Sequence, residues 1–400
     1  MNVVAGGLSF YRRLFAVPGS GRLAVADLCA RLPQGMLSLT VLLVAAEHAS
    51  MRVAGLALAG HTMGLAATAP VRGRLADRYG VARTAGFCWG GWVLAALGLL
   101  AASAARQPAV VLVALAAVAG CVMPPLSPGL RSLWSLHAPA RLVQTAFALD
   151  AAVFDLAYIT GPVIAGSVAV AVAPAAALAV MLSLTGAAIA VIGGRFRQNP
   201  APGARTVGLG PLRSGALRRL LMTAALTNVA LTATEVALTA SMRLHHTLWA
   251  IGPLLAELSA GSILGSLLLG TRAPAASARQ RLPRFLAGYT IGLAALTAAT
   301  LAAPALAVAT PLAGLCLGPT LATLFTSTAS AVPHGNGTEA QAWLNSIMNG
   351  GAAGGAALAG LLASRPIAGL ALAAGAAALA TSTAALMRGG SESAPPAGAH

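Results

Sequence analysis

Long apolar runs broken by short polar turns set the rhythm of this chain. Stretches of about 20 residues, built mostly from Ala, Leu, Val, Gly and Ile, recur from end to end. A run of that length spans roughly 30 Å as a helix, the thickness of bilayer hydrocarbon. A membrane β-barrel would instead alternate apolar and polar residues over segments of about ten. The pattern predicts twelve helical spans, at about 24–46, 53–71, 84–104, 108–130, 143–170, 174–194, 217–241, 249–270, 284–303, 305–331, 340–363 and 366–387. The longest interruption, 195–216, is rich in Pro, Gly and Arg. It divides the chain into an N-terminal six-helix half (1–194), a cytoplasmic linker (195–216) and a C-terminal six-helix half (217–388), with a disordered tail at 389–400.

Composition agrees with that class. Hydrophobic residues make up 58% of the 400 and charged residues 8%, and the mean hydropathy is +0.80. A soluble fold could not hide so much apolar surface behind a polar exterior. The fold class is therefore an all-α integral membrane protein. No small-residue cleavage site follows Arg12 and Arg13, so the first span is expected to act as its own signal. Cys29, Cys88, Cys121 and Cys316 lie in apolar runs without metal-ligand spacing, and read as structural thiols.

Charge then fixes orientation. The net charge is +16, and all 25 basic residues are arginines. Nucleic acid is not the expected partner, because the arginines sit in short turns where they set topology. With a cytoplasmic N-terminus, twenty of them fall in cytoplasmic segments. Only Arg52, Arg106, Arg243 and Arg365 fall outside, and Arg31 lies within span 1. Both termini are thus expected to be cytoplasmic, in a multi-pass protein of the inner (plasma) membrane.

Four charges crowd into the turn after span 2, "GRLADRYGVAR" (73–83). This stretch resembles the loop 2–3 signature of the major facilitator superfamily (MFS), Gly-x-Leu-(Ala/Gly)-Asp-Arg-(Tyr/Phe)-Gly followed by basic residues. Gly73, Leu75, Ala76, Asp77, Arg78, Tyr79, Gly80 and Arg83 match, whereas Val81 and Ala82 depart. The resemblance implies the twelve-helix MFS fold, over about residues 15–390. It also implies that Asp77 contacts a helix of the opposite half and latches one conformation. The start of span 11, with Thr338 and Gln341 at capping-box spacing, is the expected partner, and Arg131 at the end of span 4 a second one.

Span 5 carries Gly161-Pro162 followed by Gly166. This resembles, in part, the family's antiporter motif and implies export in exchange for protons; the alternative is an ordinary packing kink. Asp27, Asp150, Asp155, Glu235 and Glu257 lie within spans, where an unpaired charge is costly. Arg31, one turn after Asp27, is expected to pair with Asp150 or Asp155. One arginine cannot neutralise three acids, so a surplus carboxylate suits a proton carrier, Asp155 first. The alternative is a static buried ion pair. Glu235 is the next proton or substrate candidate, while neighbouring Ser or Thr could satisfy Glu257. His61 could titrate or sit as a hydrogen-bonded core residue. Asn228, Asn345 and Asn349 could bind substrate or bridge helices, and "NGGAAGGAALAG" (349–360) offers a small-residue packing face.

These features predict a proton-coupled secondary exporter of a small organic molecule, a drug or metabolite, acting as a monomer in the lipid bilayer. An importer or uniporter is the alternative, and a non-transporting scaffold or sensor a more distant one. No enzyme triad, metal set or phosphate loop is present, and no cofactor is called for.

Overall fold

The computed structural model describes residues 2–47, 50–193, 210–244, 251–271, 277–299, 303–332, 336–362 and 364–389. All regular structure among them is helical. In chain order the α-helices are α1 (Asn2–Ala16), α2 (Ser20–Ala46), α3 (Met51–Tyr79), α4 (Val81–Ala104), α5 (Ala109–Val122), α6 (Leu126–His137), α7 (Val143–Ala171) and α8 (Pro174–Gly193). Then follow α9 (Gly215–Leu244), α10 (Ile251–Gly270), α11 (Ala278–Ala299), α12 (Ala303–Ala329), α13 (Gly337–Leu361) and α14 (Pro366–Gly389). Among the described residues, ten stretches are long and apolar enough to cross a membrane by length and composition, the α5–α6 stretch counting as one. Two further helices are long enough but less apolar. The 29 residues of α3 end in Arg72, Arg74, Asp77 and Arg78, and the 25 residues of α13 carry Glu339, Gln341, Asn345 and several glycines.

Helices are the expected solution here, because hydrocarbon offers no partner to an unpaired backbone group. Side-chain hydroxyls obey the same rule. Thr185, Thr227, Thr234, Thr310 and Thr320 each donate to the carbonyl four residues back, at 2.7–2.8 Å.

The chain forms two compact units. The first comprises Met1–Pro211, Leu267–Arg272 and Val332–Ser346; the second comprises Leu212–Ser266, Ala273–Ala331 and Ile347–His400. In the first, α2 packs on α7 and α8, and α3 on α5. A hydrophobic core within this unit includes Leu14, Leu23, Leu130, Leu133, Trp134 and Ile192. In the second, α9 packs on α14, and α11 on α12 and α14.

Three features depart from the sequence reading. A helix, α1, precedes the first expected span. The fourth span, expected as one helix over 108–130, breaks at Met123-Pro124-Pro125 and continues as α6. Each proline removes a backbone donor and disfavours helical geometry in the residue before it. Arg72 fills the gap: its guanidinium donates to Met123 O and, at 2.8 Å, to Leu65 O. Third, Arg72 and Arg131, expected in cytoplasmic turns, are both buried. The expected linker at 195–216 lies mostly, and the tail at 389–400 almost wholly, outside the described residues.

Candidate functional site

Within the first unit, the break before α6 turns Arg131 inward, and this sets up the site. Asp27 and Arg31 lie one turn apart on α2, Asp150 projects from α7 and Arg131 from α6. All four are 0–1% exposed. Arg31 Nε donates to Asp27 at 3.2 Å, while its Nη2 donates to Asp150. Arg131 Nε donates to the other Asp150 oxygen at 2.9 Å, and its Nη1 to the Asn345 side-chain oxygen at 2.8 Å. Trp134 Nε1 lies 3.4 Å from Asp27, and the Phe154 ring sits 5.5 Å from the Arg31 guanidinium carbon.

The expectation of a single buried arginine among these acids is therefore corrected. Two arginines share the interior, because the Pro124-Pro125 break re-aims α6 and carries Arg131 inside. Asp150 is the hub, held by both cations, whereas Asp27 is held by longer contacts. Asp155 lies further along α7 and is 7% exposed. Arginine stays protonated at any relevant pH, so only a carboxylate in this cluster can gain or lose a proton.

A second group of contacts joins α3 to the start of α13. Asp77 accepts from Thr338 N at 2.9 Å and from Glu339 N at 2.8 Å. It thereby satisfies two of the four donors that a helix N-terminus leaves open, where a negative charge is also favoured. Arg74 grips Glu339 through Nε at 3.2 Å and Nη2 at 2.7 Å. Asp77 lies beyond the apolar 53–71 stretch. Burial pushes its carboxyl up to about 6, against the backbone and side-chain hydrogen bonds from Glu339 and Thr338. Gly73 makes the approach possible: a Cβ there would stand 2.8 Å from Ala342 Cβ and 2.9 Å from Glu339 Cα. Pro70 cannot donate to Ala66 O, and Ser346 Oγ does so instead, at 3.1 Å. Gly80 ends α3 at φ 89, in the region that favours glycine. Arg78 and Arg83 are exposed, the first over the Tyr79 ring. Arg131, offered above as a second partner of Asp77, donates to Asp150 and Asn345.

The remaining candidates are dispersed. Gly161 marks the crossing of α7 over α2, where a Cβ would collide with the Gly35 backbone; Gly166 would make only ordinary contact with Leu39. Pro162 lies inside α7 without ending it. His61 is buried, with Nδ1 3.2 Å from Ala116 O and Nε2 without a hydrogen-bond partner among the described residues. In the second unit Glu235 is half-buried on α9, and Asn228 donates to Ala224 O at 3.0 Å. Glu257 departs from its expectation: its Oε2 is buried without a hydrogen-bond partner among the described residues, so neighbouring hydroxyls do not satisfy that oxygen. Asn349 is half-buried one turn after Asn345. Gly351 and Gly355 of the small-residue stretch lie against the α9 backbone at Ala225 and Val229.

Sequence reasoning missed three donors on the last turn of α10. Tyr11 OH donates to Leu267 O at 3.0 Å, Gln144 Nε2 to Leu269 O at 2.6 Å and Thr145 Oγ1 to Gly270 O at 2.8 Å. A helix leaves its last four carbonyls open, and here side chains from α1 and α7 take three of them. Gly270 admits Tyr11 because a Cβ there would strike the phenol. The polar residues Gln144 and Thr145 at the start of an apolar span were the one available signal.

Among solved structures, the chain is similar to a bacterial homologue of the iron transporter ferroportin in an outward-facing state. That likeness has 12% identity and a TM-score of 0.76, over 92% of this chain and 99% of that one. It is also similar to the human organic anion transporter MFSD10 (TETRAN), at 14% identity and a TM-score of 0.72, over 93% and 99%. The E. coli fucose:proton symporter FucP follows at 12% identity and a TM-score of 0.71, over 93% and 99%. At such identities the likeness is one of fold. No curated protein matches the sequence. The profile of the Major Facilitator Superfamily matches residues 23–356; the chain belongs to that family, and it is a multi-pass membrane transporter rather than an enzyme.

Proposed function

We propose that this chain is a proton-coupled secondary transporter that exports a small organic molecule by alternating access. The observation that carries the reading is the buried charge cluster. Arg31 and Arg131 supply two permanent positive charges against Asp27 and Asp150, and Asp155, buried further along α7, adds a third carboxyl group. Two carboxylates balance the arginines, so the third is the group that a proton neutralises. A carboxyl protonated in one access state and ionised in the other is what gradient coupling needs. Asp155, further along α7 than Asp150 and 7% exposed, is assigned that role. Glu235 in α9 is the next candidate.

Outward direction rests on Gly161-Pro162 and Gly166 of the antiporter-like motif. Ala157 and Ala165, where the family's motif has glycine, favour the second reading, import or uniport. The latch is assigned to Gly73, Asp77, Arg78, Gly80 and Arg83, with Arg131 reaching α13 through Asn345 rather than through Asp77. We count twelve spans, taking α3 and α13 as spans and α5–α6 as one. They fall in two six-helix halves, 1–194 and 217–388, with both termini cytoplasmic, and the protein works as a monomer in the inner membrane.

A thermal-shift screen of the purified protein against metabolite and drug panels at two pH values identifies the ligand. Proteoliposome flux of that ligand then tests the coupling. A pH gradient should drive uphill movement, and equal flux after the gradient is collapsed would overturn the proton-coupled reading.

A further inference from the structure

The helix before the first span has two unlike faces. Tyr11 and Leu14, three residues apart, point into the first unit: Leu14 is fully buried in its core, and the Tyr11 phenol holds Leu267 O. Burial raises the phenol's pKa, so it stays a donor. Beside them Arg12, Arg13 and, at 49%, Phe15 are exposed. Arg13 also lies over the Phe10 ring, 5.9 Å from its centre. α1 contains no acidic residue that could pair with these arginines. Cations beside an exposed aromatic ring, on a short helix joined to a membrane span, are the make-up of an interfacial helix. Such a helix places its ring at the headgroup boundary and its cations on phosphate.

We infer that the outer face of α1 binds anionic phospholipid headgroups through Arg12 and Arg13, and that this contact keeps Tyr11 on the end of α10. The partner follows from charge complementarity and from the bilayer that the next helix enters. The inference rests on the proposed topology only in placing α1 at the cytoplasmic surface; transport itself is not required. The mechanical link is short. Tyr11 adjoins Arg12 in sequence, so pulling the arginine face onto the membrane fixes the helix rotation that aims the phenol at Leu267. If α1 lifted off, α10 would lose one of the donors on its last turn, leaving Gln144 and Thr145 of α7 beside the adjoining Thr271.

The test uses the full chain with its four cysteines replaced and a spin label at Ala16→Cys, in vesicles of phosphatidylcholine with or without phosphatidylglycerol. Label depth reads the adsorption of α1, and amide exchange at residues 268–271 reads the end of α10. Anionic lipid should draw the label deeper and slow that exchange. Each arginine near a charged surface contributes enough that Arg12→Gln with Arg13→Gln should cut the preference for anionic lipid by about tenfold or more. The single substitutions should give intermediate values. Tyr11→Phe should keep the lipid response of the label while losing the protection of 268–271. A label depth indifferent to phosphatidylglycerol, or an anionic effect untouched by the double substitution, would overturn the lipid site. A label that responds while 268–271 does not would overturn the link to α10.

Discussion

Asp77 Oδ2 accepts a hydrogen bond from Glu339 N at 2.8 Å, across 262 positions of sequence. The same carboxylate also takes Thr338 N, so one side chain caps the first turn of α13 from the end of α3. Replacement by Asn keeps the size but leaves one acceptor oxygen and no charge. Asp77→Asn should express and fold normally while slowing transport by about tenfold or more, the scale on which coupling between states is commonly felt. Flux in proteoliposomes checks this. Undiminished flux would reduce the charged turn to a topology signal.

Coupling should reside in Asp155. Asp155→Asn imitates the protonated form permanently. It should abolish flux driven by a pH gradient while leaving substrate counterflow intact, because only the proton step is lost. Full gradient-driven flux in this variant moves the proton site elsewhere, with Glu235 next to be substituted.

The hub role of Asp150 predicts a stability effect rather than a coupling effect. Its carboxylate meets both Arg31 and Arg131, and Asp150→Asn leaves two buried guanidinium groups short of charge. Removing one partner of a buried pair commonly costs about 3–5 kcal/mol. Asp27→Asn should cost less, since its contacts are longer, at 3.2 and 3.4 Å. Thermal unfolding in detergent ranks the two, and a reversed order would place the hub at Asp27.

Orientation is open to chemistry. In a cysteine-free background, single cysteines at positions 106 and 365 should react with an impermeant reagent in intact cells, and one at 279 should not. Labelling of position 279 from outside would invert the topology.

The run lengths and turn charges made the helices legible, because a bilayer demands both. Asp77 at the end of α3 and Thr338 at the start of α13 were readable from a local motif and a helix boundary. The place of Arg131 was not. Its neighbours are polar enough to read as a turn, and only the Pro124-Pro125 break, whose direction no periodicity encodes, carries it inside toward Asp150. Its other partner, Asn345, is 214 positions away. α1 also escaped notice: "NVVAGGLSFYRRLFA" has two glycines and no acidic cap, and its helical state depends on the packing of Leu14 and the grip of Tyr11 rather than on propensity.

The crossings of α2 with α7 and of α3 with α5 leave no room for a methyl group at Gly35 and Gly161, or at Gly120 against the His61 carbonyl. Backbones packed this closely have little room to shift along one another. The separation between α2 and α7 is therefore a length standard built into the protein. Paired probes set on the outer faces of those two helices should report one constant distance through the whole working cycle. Any distance that changes elsewhere can be calibrated against it.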